Sequence, residues 1–342
     1  MHIVVSGWFW EQPNTGSGQY LHRLLPHLAG LEASEDAYGQ NSPTRQPYGK
    51  GTVSYTLLLP RAPKSDEHIY SLSQNSTPLT TVVSPPPRLP RQLAKLYWEQ
   101  VTVPRCAQRL DADLLLVPYW AAPLWQPKPT VVTVHDLIPL LLPSYRGGWA
   151  GRLYTRLVSN TARRCAAVLT VSEASRRDII DHLGLPGQRV FAIHHGPNSE
   201  DGEQAREAGV PDLHRHRQIA RKYSLPERYF LYLGGFDVRK NVLGIVRAYR
   251  RYLDQGGDPA VQLVLAGKLP HEDSAFFPDP QRLVRQLELT EHVCFVGWVD
   301  EEDKAALNAG ATAFLFPSSY EGFGMMVLEA MAAGTPVITS SE

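Results

Sequence analysis

The chain is 342 residues long, about twice the ~150 residues of an average domain, so two domains are the expectation. Hydrophobic residues make up 43% and charged ones 20%, a balance that supports buried cores and excludes wholesale disorder. The 34 Lys and Arg cancel the 34 Asp and Glu, which excludes a global field drawing the chain to nucleic acid or membrane and leaves only local patches to do so.

The start, Met1 to Trp10, has no basic leader before an apolar stretch and reads as a first strand rather than a signal peptide. No apolar run reaches the ~20 residues of a membrane helix. The three cysteines, Cys106, Cys165 and Cys294, lack the paired spacing of a zinc, haem or redox site and read as free buried thiols in a reducing compartment. A cytoplasmic protein is the expectation.

In chain order, the spacing predicts strands over Ile3–Ser6, Val53–Leu59, Leu79–Val83, Leu114–Val117, Val131–Val134, Val168–Val171 and Val190–Ile193. Their near-continuous Val, Leu and Ile content suits parallel strands buried on both faces. Helical patterns fall between them at Leu21–Ala29, Arg91–Arg109, Leu153–Arg164 and Glu173–His182. The polar stretch Glu32–Gly51 reads as a loop, and His194–Arg221, with no sustained apolar period, as a linker. A second series follows, with strands at Tyr229–Leu233, Gln262–Ala266, Val293–Val296, Ala313–Phe316 and Pro336–Ile338. Its helices fall at Asn241–Leu253, Pro280–Leu287, Glu302–Ala309 and Met325–Ala333. Alternating strand and helix means α/β sheets with right-handed crossovers, here two in tandem: residues 1–195, a linker over 196–225, and 226–342.

Ligands on such sheets sit beyond the carboxyl ends of strands, so the residues there carry the functional reading. After the first strand a loop holds Gly16 and Gly18 ahead of the helix at Leu21, where glycines let backbone amides approach a phosphate. The nicotinamide-cofactor fingerprint fails, because its third glycine would stand at Leu21. The strand ending at Leu233 runs into Gly234, Gly235 and then Arg239 and Lys240, a planar fork beside a point charge, suited to a diphosphate. The bland alternative is a solvated cation pair, which a helix N-terminus would repel. Beyond the strand Ala313–Phe316 come Glu321, Gly322, Phe323, Gly324 and Met325, and Glu329 lies within the next helix. Free amides at that turn can bind phosphate or sugar hydroxyls, and carboxylates accept hydrogen bonds from vicinal hydroxyls. Glu321 as a cap and Glu329 as a surface residue is the alternative. His135, at the end of the strand Val131–Val134, is either a site residue or structural, while His194 and His195 have no partner in the nearby sequence. The dispersed histidines and carboxylates show no metal spacing.

Taken together these segments resemble the retaining GT-B glycosyltransferases, the large family that includes bacterial mannosyl- and glucosyltransferases. The resemblance rests on Glu321 to Val337 with seven residues between its two glutamates, on Gly234-Gly235 with Arg239-Lys240, on Thr133 to Pro139, and on Thr170 to Glu173. It implies two Rossmann-like α/β domains facing a central cleft, an N-terminal acceptor domain and a C-terminal donor domain. The implied donor is a nucleotide sugar such as GDP-mannose or UDP-glucose, with no metal or other cofactor, and the implied acceptor is a glycan or lipid-linked glycan. Arg239 and Lys240 would hold the diphosphate and Glu329 the ribose. Glu321 and the amides from Gly322 to Met325 would face the donor sugar and phosphates. His135 would approach the sugar from across the cleft, Gly16 and Gly18 would lie near the phosphates, Val299 would contact the base through its backbone, and Gly267 and Lys268 would sit on the same rim.

The family normally continues past Pro336–Ile338, so a C-terminal truncation is a further expectation. The segments around His135 and Arg239 look closest to mannosyltransferases of polysaccharide assembly. A sugar-nucleotide epimerase or phosphorylase on the same fold, and a binding-only module, are the competing readings. Arg88, Arg91, Lys95, Arg105 and Arg109, and later Arg146, Arg152, Arg156, Arg163 and Arg164, leave peripheral contact with the inner membrane face open against plain solvated helix faces.

Overall fold

The structure, a computed structural model, describes residues 1–13, 15–30, 53–63, 79–196 and 213–341. The chain divides into two units, Met1–Ile193 and His194–Glu342. The expected loop Glu32–Gly51 lies outside the described residues.

The first unit is built on seven parallel strands: β1 (His2–Ser6), β2 (Ser54–Leu59), β3 (Leu79–Val83), β4 (Leu114–Val117), β5 (Thr130–Thr133), β6 (Ala167–Thr170) and β7 (Val190–Ala192). Their order is β3-β2-β1-β4-β5-β6-β7. Side chains alternate across a strand, so continuous apolar strands feed a core on each face. Val4, Leu58, Leu115 and Val117 join one buried cluster, and Ile3, Val5, Leu57, Leu59 and Leu116 join the other. Each large side chain so buried contributes about 1.5–3 kcal/mol.

The helices of this unit are α1 (Gly16–Gly30), α2 (Arg91–Tyr97), α3 (Val103–Arg109), α4 (Ile138–Leu141), α5 (Trp149–Ala162) and α6 (Glu173–Leu183). Between α2 and α3 the helix widens into a π turn, Trp98–Thr102. The segment Thr170 to Glu173 has a local cause. Ser172 Oγ accepts a hydrogen bond from the Ser175 amide at 3.1 Å and caps α6, which ends on Gly184 at φ +64°.

The second unit carries α7 (Leu213–Lys222), β8 (Arg228–Leu233), α8 (Val242–Asp254), β9 (Val261–Ala266), α9 (Pro280–Gln286), β10 (Val293–Gly297), α10 (Lys304–Ala309), β11 (Ala313–Phe316), α11 (Met325–Ala332) and β12 (Val337–Thr339). Its parallel sheet has the order β10-β9-β8-β11-β12. Tyr229, Leu231 and Val264 feed one core, Tyr232, Leu263 and Leu265 the other. The expected linker needs correction, because residues 213–222 form α7 and pack against α10. Lys222 bridges Asp300 at 2.7 Å and Asp303 at 2.6 Å, and Ile219 is buried. The polar, basic composition hid this helix because it buries only a narrow stripe.

Cys106 and Cys165 are buried in the first unit and Cys294 is half-buried in the second, all three as free thiols. Burial pushes the Cys165 thiol up to about 12.

Candidate functional site

In both sheets the strand order reverses beside the first strand, between β1 and β4 and between β8 and β11. The crevice outside the carboxyl ends of strands at such a reversal is where doubly wound sheets bind ligands.

At the β8/β11 reversal, β8 ends at Leu233 and runs into Gly234 and Gly235. The Gly234 amide donates to the Ala266 carbonyl at 3.0 Å, and a Cβ on Gly267 would stand 2.0 Å from the Gly234 carbonyl oxygen. With φ +135° at Gly267, the sequence must be glycine there for the two backbones to meet. The chain then turns through Asp237 into a 3₁₀ turn, Val238–Lys240, and Asn241 takes the left-handed conformation at φ +53° before α8. That turn is stitched to the loop leaving β11. The Ser319 amide donates to the Arg239 carbonyl at 2.9 Å, and Arg239 Nη1 donates to the Tyr320 carbonyl at 2.8 Å.

The stitching brings together residues 81 apart in sequence. Glu321 receives Lys240 Nζ on Oε1 at 2.6 Å and Arg239 Nη1 on Oε2. Asp237 Oδ1 lies 3.6 Å from Arg239 Nε, and Lys240 Nζ sits 5.1 Å over the Phe316 ring. Burial of Glu321 would raise its carboxyl pKa, but the charges of Lys240 and Arg239 outweigh that and hold it below its ordinary 4.5. Glu321 is therefore an anion at neutral pH, unfit to donate a proton. The two expected diphosphate cations and the expected sugar-facing carboxylate thus form one ionic cluster, with Arg239 committed to Glu321, Asp237 and Tyr320.

The other expected donor residues flank this cluster in the same unit. Gly324, at φ +92°, opens α11; Met325 is its first residue and Glu329 lies half-buried on it. Gly322 and Phe323 sit in the turn before it. The Phe323 ring lies 5.2 Å from His195 and 6.1 Å from His194, so both histidines do have a partner, one more than 120 residues away that no local pattern announces. Gly267 hydrogen-bonds through its amide to the Gly297 carbonyl at 2.7 Å, Lys268 is exposed, and the Val299 side chain is buried in the core.

Gly16, Gly18 and His135 belong to the first unit. The two glycines need correction, because they lie in the first turn of α1 and not in a loop ahead of it. Thr15 caps that turn, its Oγ1 accepting from the Gly18 amide at 3.2 Å, and a Cβ on Gly18 would meet the Gln12 carbonyl oxygen at 2.0 Å. The Gly16 Cβ position is open. His135 packs edge-on to Tyr20 of α1 at 4.8 Å, and its Nε2 is 3.4 Å from the Pro118 carbonyl oxygen. Histidine and helix start thus meet beside the carboxyl ends of β4 and β5.

A second charged cluster fills the β1/β4 reversal. Glu99, on the π turn, has a fully buried side chain paired with Lys95, and Tyr154 Oη donates to both its carboxylate oxygens at 3.0 and 3.1 Å. Lys95 Nζ lies over the rings of Tyr154 at 4.8 Å, Tyr119 at 5.5 Å and Phe9 at 5.9 Å. Burial raises the Glu99 pKa against the pull of Lys95 and Tyr154. The aromatic run Trp8, Phe9, Trp10 finds its use here. Trp8 packs on Trp98, Phe9 on Tyr119, and Trp10 stacks on His22 at 4.0 Å. Lys95 belongs to this cluster and not to a free basic face. The signal in sequence was a glutamate beside a tryptophan in the helical stretch Arg91–Arg109; the π turn, invisible to a 3.6-residue period, is what turns it inward.

Among the described residues no group of three or more His, Cys, Asp or Glu could hold a metal ion, and no helix is long and apolar enough to cross a membrane.

Against this geometry the family comparison is decisive: the Glycosyltransferase Family 4 profile matches residues 16–201 and that of Glycosyl transferases group 1 matches residues 216–342. The chain belongs to the group 1 and family 4 glycosyltransferases. This glycosyltransferase is 30% identical over 212 residues to O-antigen chain mannosyltransferase B of Escherichia coli, covering 62% of this chain and 52% of that one. It is 28% identical over 210 residues to O-antigen chain mannosyltransferase RfbU of Salmonella typhimurium, covering 61% and 51%. The match thus spans about half the length of these curated relatives. Its fold is that of WaaG, a glycosyltransferase involved in lipopolysaccharide biosynthesis, at 15% identity with a TM-score of 0.59 over 100% of this chain and 81% of that one. Anabaena HepE, solved with UDP and glucose, gives 0.58 at 17% identity over the same shares. The fold is therefore GT-B.

Proposed function

We propose that this glycosyltransferase moves a hexose, mannose before glucose, from a nucleoside-diphosphate sugar to a hydroxyl of a glycan or lipid-linked glycan, with retention and without a metal. The observation that carries the reading is the Arg239–Lys240–Glu321 cluster at the β8/β11 reversal. Two mannosyltransferases among the relatives support mannose, and the UDP and glucose bound to HepE support a nucleotide-linked donor.

When the bond between the anomeric carbon and the phosphate oxygen breaks, negative charge develops on the departing diphosphate. Fixed cations stabilise it as it forms. Lys240 is the freer of the two, with a single carboxylate partner, so it turns from Glu321 to the phosphate while Arg239 keeps Glu321 in place. The acceptor oxygen forms the new glycosidic bond on the same face, and its proton passes to the departing phosphate oxygen. Glu321 stays ionised throughout and positions the sugar hydroxyls as an acceptor of hydrogen bonds.

The test is calorimetry with GDP-mannose, UDP-glucose and UDP-N-acetylglucosamine, free of divalent metal, on the wild type, Arg239→Ala and Lys240→Ala. Micromolar binding of one donor, lost in both variants while they remain folded, is expected. A donor bound equally by all three proteins overturns the assignment of the cluster. Turnover with the bound donor that needs inorganic phosphate, or no second substrate, in place of an acceptor alcohol overturns the transferase reading.

A further inference from the structure

The ionic cluster at the β8/β11 reversal has little net charge of its own. Arg239 and Lys240 both face Glu321, and Asp237 Oδ1 lies 3.6 Å from Arg239 Nε, so two cations meet two carboxylates. A diphosphate arriving there gains little from Coulomb attraction alone and needs neutral donors besides. Backbone amides are such donors where a turn fixes them outward.

The turn that leaves β8 has this construction. Tyr232, fully buried in the core of the second unit, donates from its hydroxyl to the Gly235 carbonyl. Phe236 anchors the other end of that peptide: its side chain is 2% exposed and packs edge-on to the Tyr232 ring at 5.8 Å. The peptide is trans and planar, so its N–H points opposite to its carbonyl, away from the Tyr232 hydroxyl. Gly235 is exposed, so that direction leads out of the core at the carboxyl end of β8. Among the described residues the Phe236 N–H meets no acceptor. Asp237 ties this peptide to the cations, since a Cβ on Gly235 would stand 3.3 Å from Asp237 Oδ2 while Oδ1 faces Arg239. Tyr249 shows the plainly structural use of the same bond. Its hydroxyl donates to the Val261 carbonyl at 3.0 Å in the same core, but at the amino end of β9.

We propose that Tyr232 is a positioning residue for the donor diphosphate. By holding the Gly235 carbonyl inward it aims the Phe236 N–H at a phosphate oxygen, which accepts that hydrogen bond when the nucleotide is bound. The inference rests on the donor reading of the Arg239–Lys240 turn and adds a neutral donor to it.

Calorimetry with GDP and UDP on the full chain, Tyr232→Phe and Tyr249→Phe tests it, joined to amide spectra of protein labelled with heavy nitrogen at its 10 phenylalanines. The Phe236 signal is the one missing from the spectrum of Phe236→Leu. The diphosphate that the wild type binds should move that signal downfield. Tyr232→Phe should bind it roughly tenfold more weakly, the usual contribution of one hydrogen bond to a charged group, with the shift much reduced. Tyr249→Phe loses a comparable buried hydrogen bond and should bind as the wild type does. Both variants keep their ring in the core and should fold. Equal loss in the two tyrosine variants, wild-type affinity in Tyr232→Phe, or a Phe236 signal that stays in place as the diphosphate binds each overturns the inference and leaves the donor reading standing. A folded wild type that binds neither diphosphate overturns that reading, and this inference with it.

Discussion

Two glutamates sit in ionic clusters of opposite character. Glu321 is held ionised by two cations, with its pKa below the unfolded value of 4.5. Its folded state thus binds fewer protons than the unfolded state, and its contribution is complete above pH 4.5 and is lost as pH falls through the lowered value. Acid titration of stability should show this loss in the wild type, and Glu321→Gln should flatten it while lowering stability at neutral pH by about 1–3 kcal/mol, because the largely buried Arg239 and Lys240 lose the carboxylate between them. Glu99 instead has its pKa raised by burial. Removing its cation with Lys95→Met should cost about 2–3 kcal/mol in urea denaturation, below the 3–5 of a fully stranded charge because Tyr154 still donates to it. Adding Glu99→Leu should recover most of that loss, since an apolar pair of similar volume suits the same core. No recovery would mean that the carboxylate holds Tyr154 in place for some other end.

At the scale of elements, two neighbouring glycines at the start of α1 separate freedom from necessity. Gly18→Ala forces a Cβ against the Gln12 carbonyl and should lower the melting temperature markedly, whereas Gly16→Ala enters open space in a helix and should leave it unchanged or raise it. If both substitutions are equally mild, the turn at Gln12 is softer than its hydrogen bonds imply. The strands were legible because each is a short apolar run bounded by turn residues; Leu79–Val83, Leu114–Val117 and Ala313–Phe316 fall where their sequence places them. Legibility failed where tertiary contact overrides local pattern. The helix Leu213–Lys222 looked like linker because ion pairs to Asp300 and Asp303 hold it, and α1 begins five residues early because Thr15 caps a glycine-rich turn. In the donor cluster the residue types were readable one by one. The pairing of Arg239 and Lys240 with Glu321 was not, because the reversal between β8 and β11 joins them and no spacing in the chain records it.

At the scale of the molecule, the two units carry separate cores and separate ionic clusters, Glu321 with Lys240 in the second and Glu99 with Lys95 in the first. Arg239→Ala, which should abolish donor binding, is therefore expected to add its effect in urea denaturation to that of Lys95→Met without interaction; a clear departure from additivity would show that the two clusters are coupled. The thiols extend this division into time. Cys106 and Cys165 lie inside the first unit and Cys294 inside the second, where its Sγ contacts Gln262 Oε1 at 3.2 Å. An alkylating reagent can reach Cys165 only when its surroundings open, and even then the raised pKa keeps the sulfur protonated until it is solvated. The native chain therefore carries a clock in its first half, and the lag of Cys106 and Cys165 behind the half-buried Cys294 in alkylation reads out how rarely that half opens, with no sulfur engineered in.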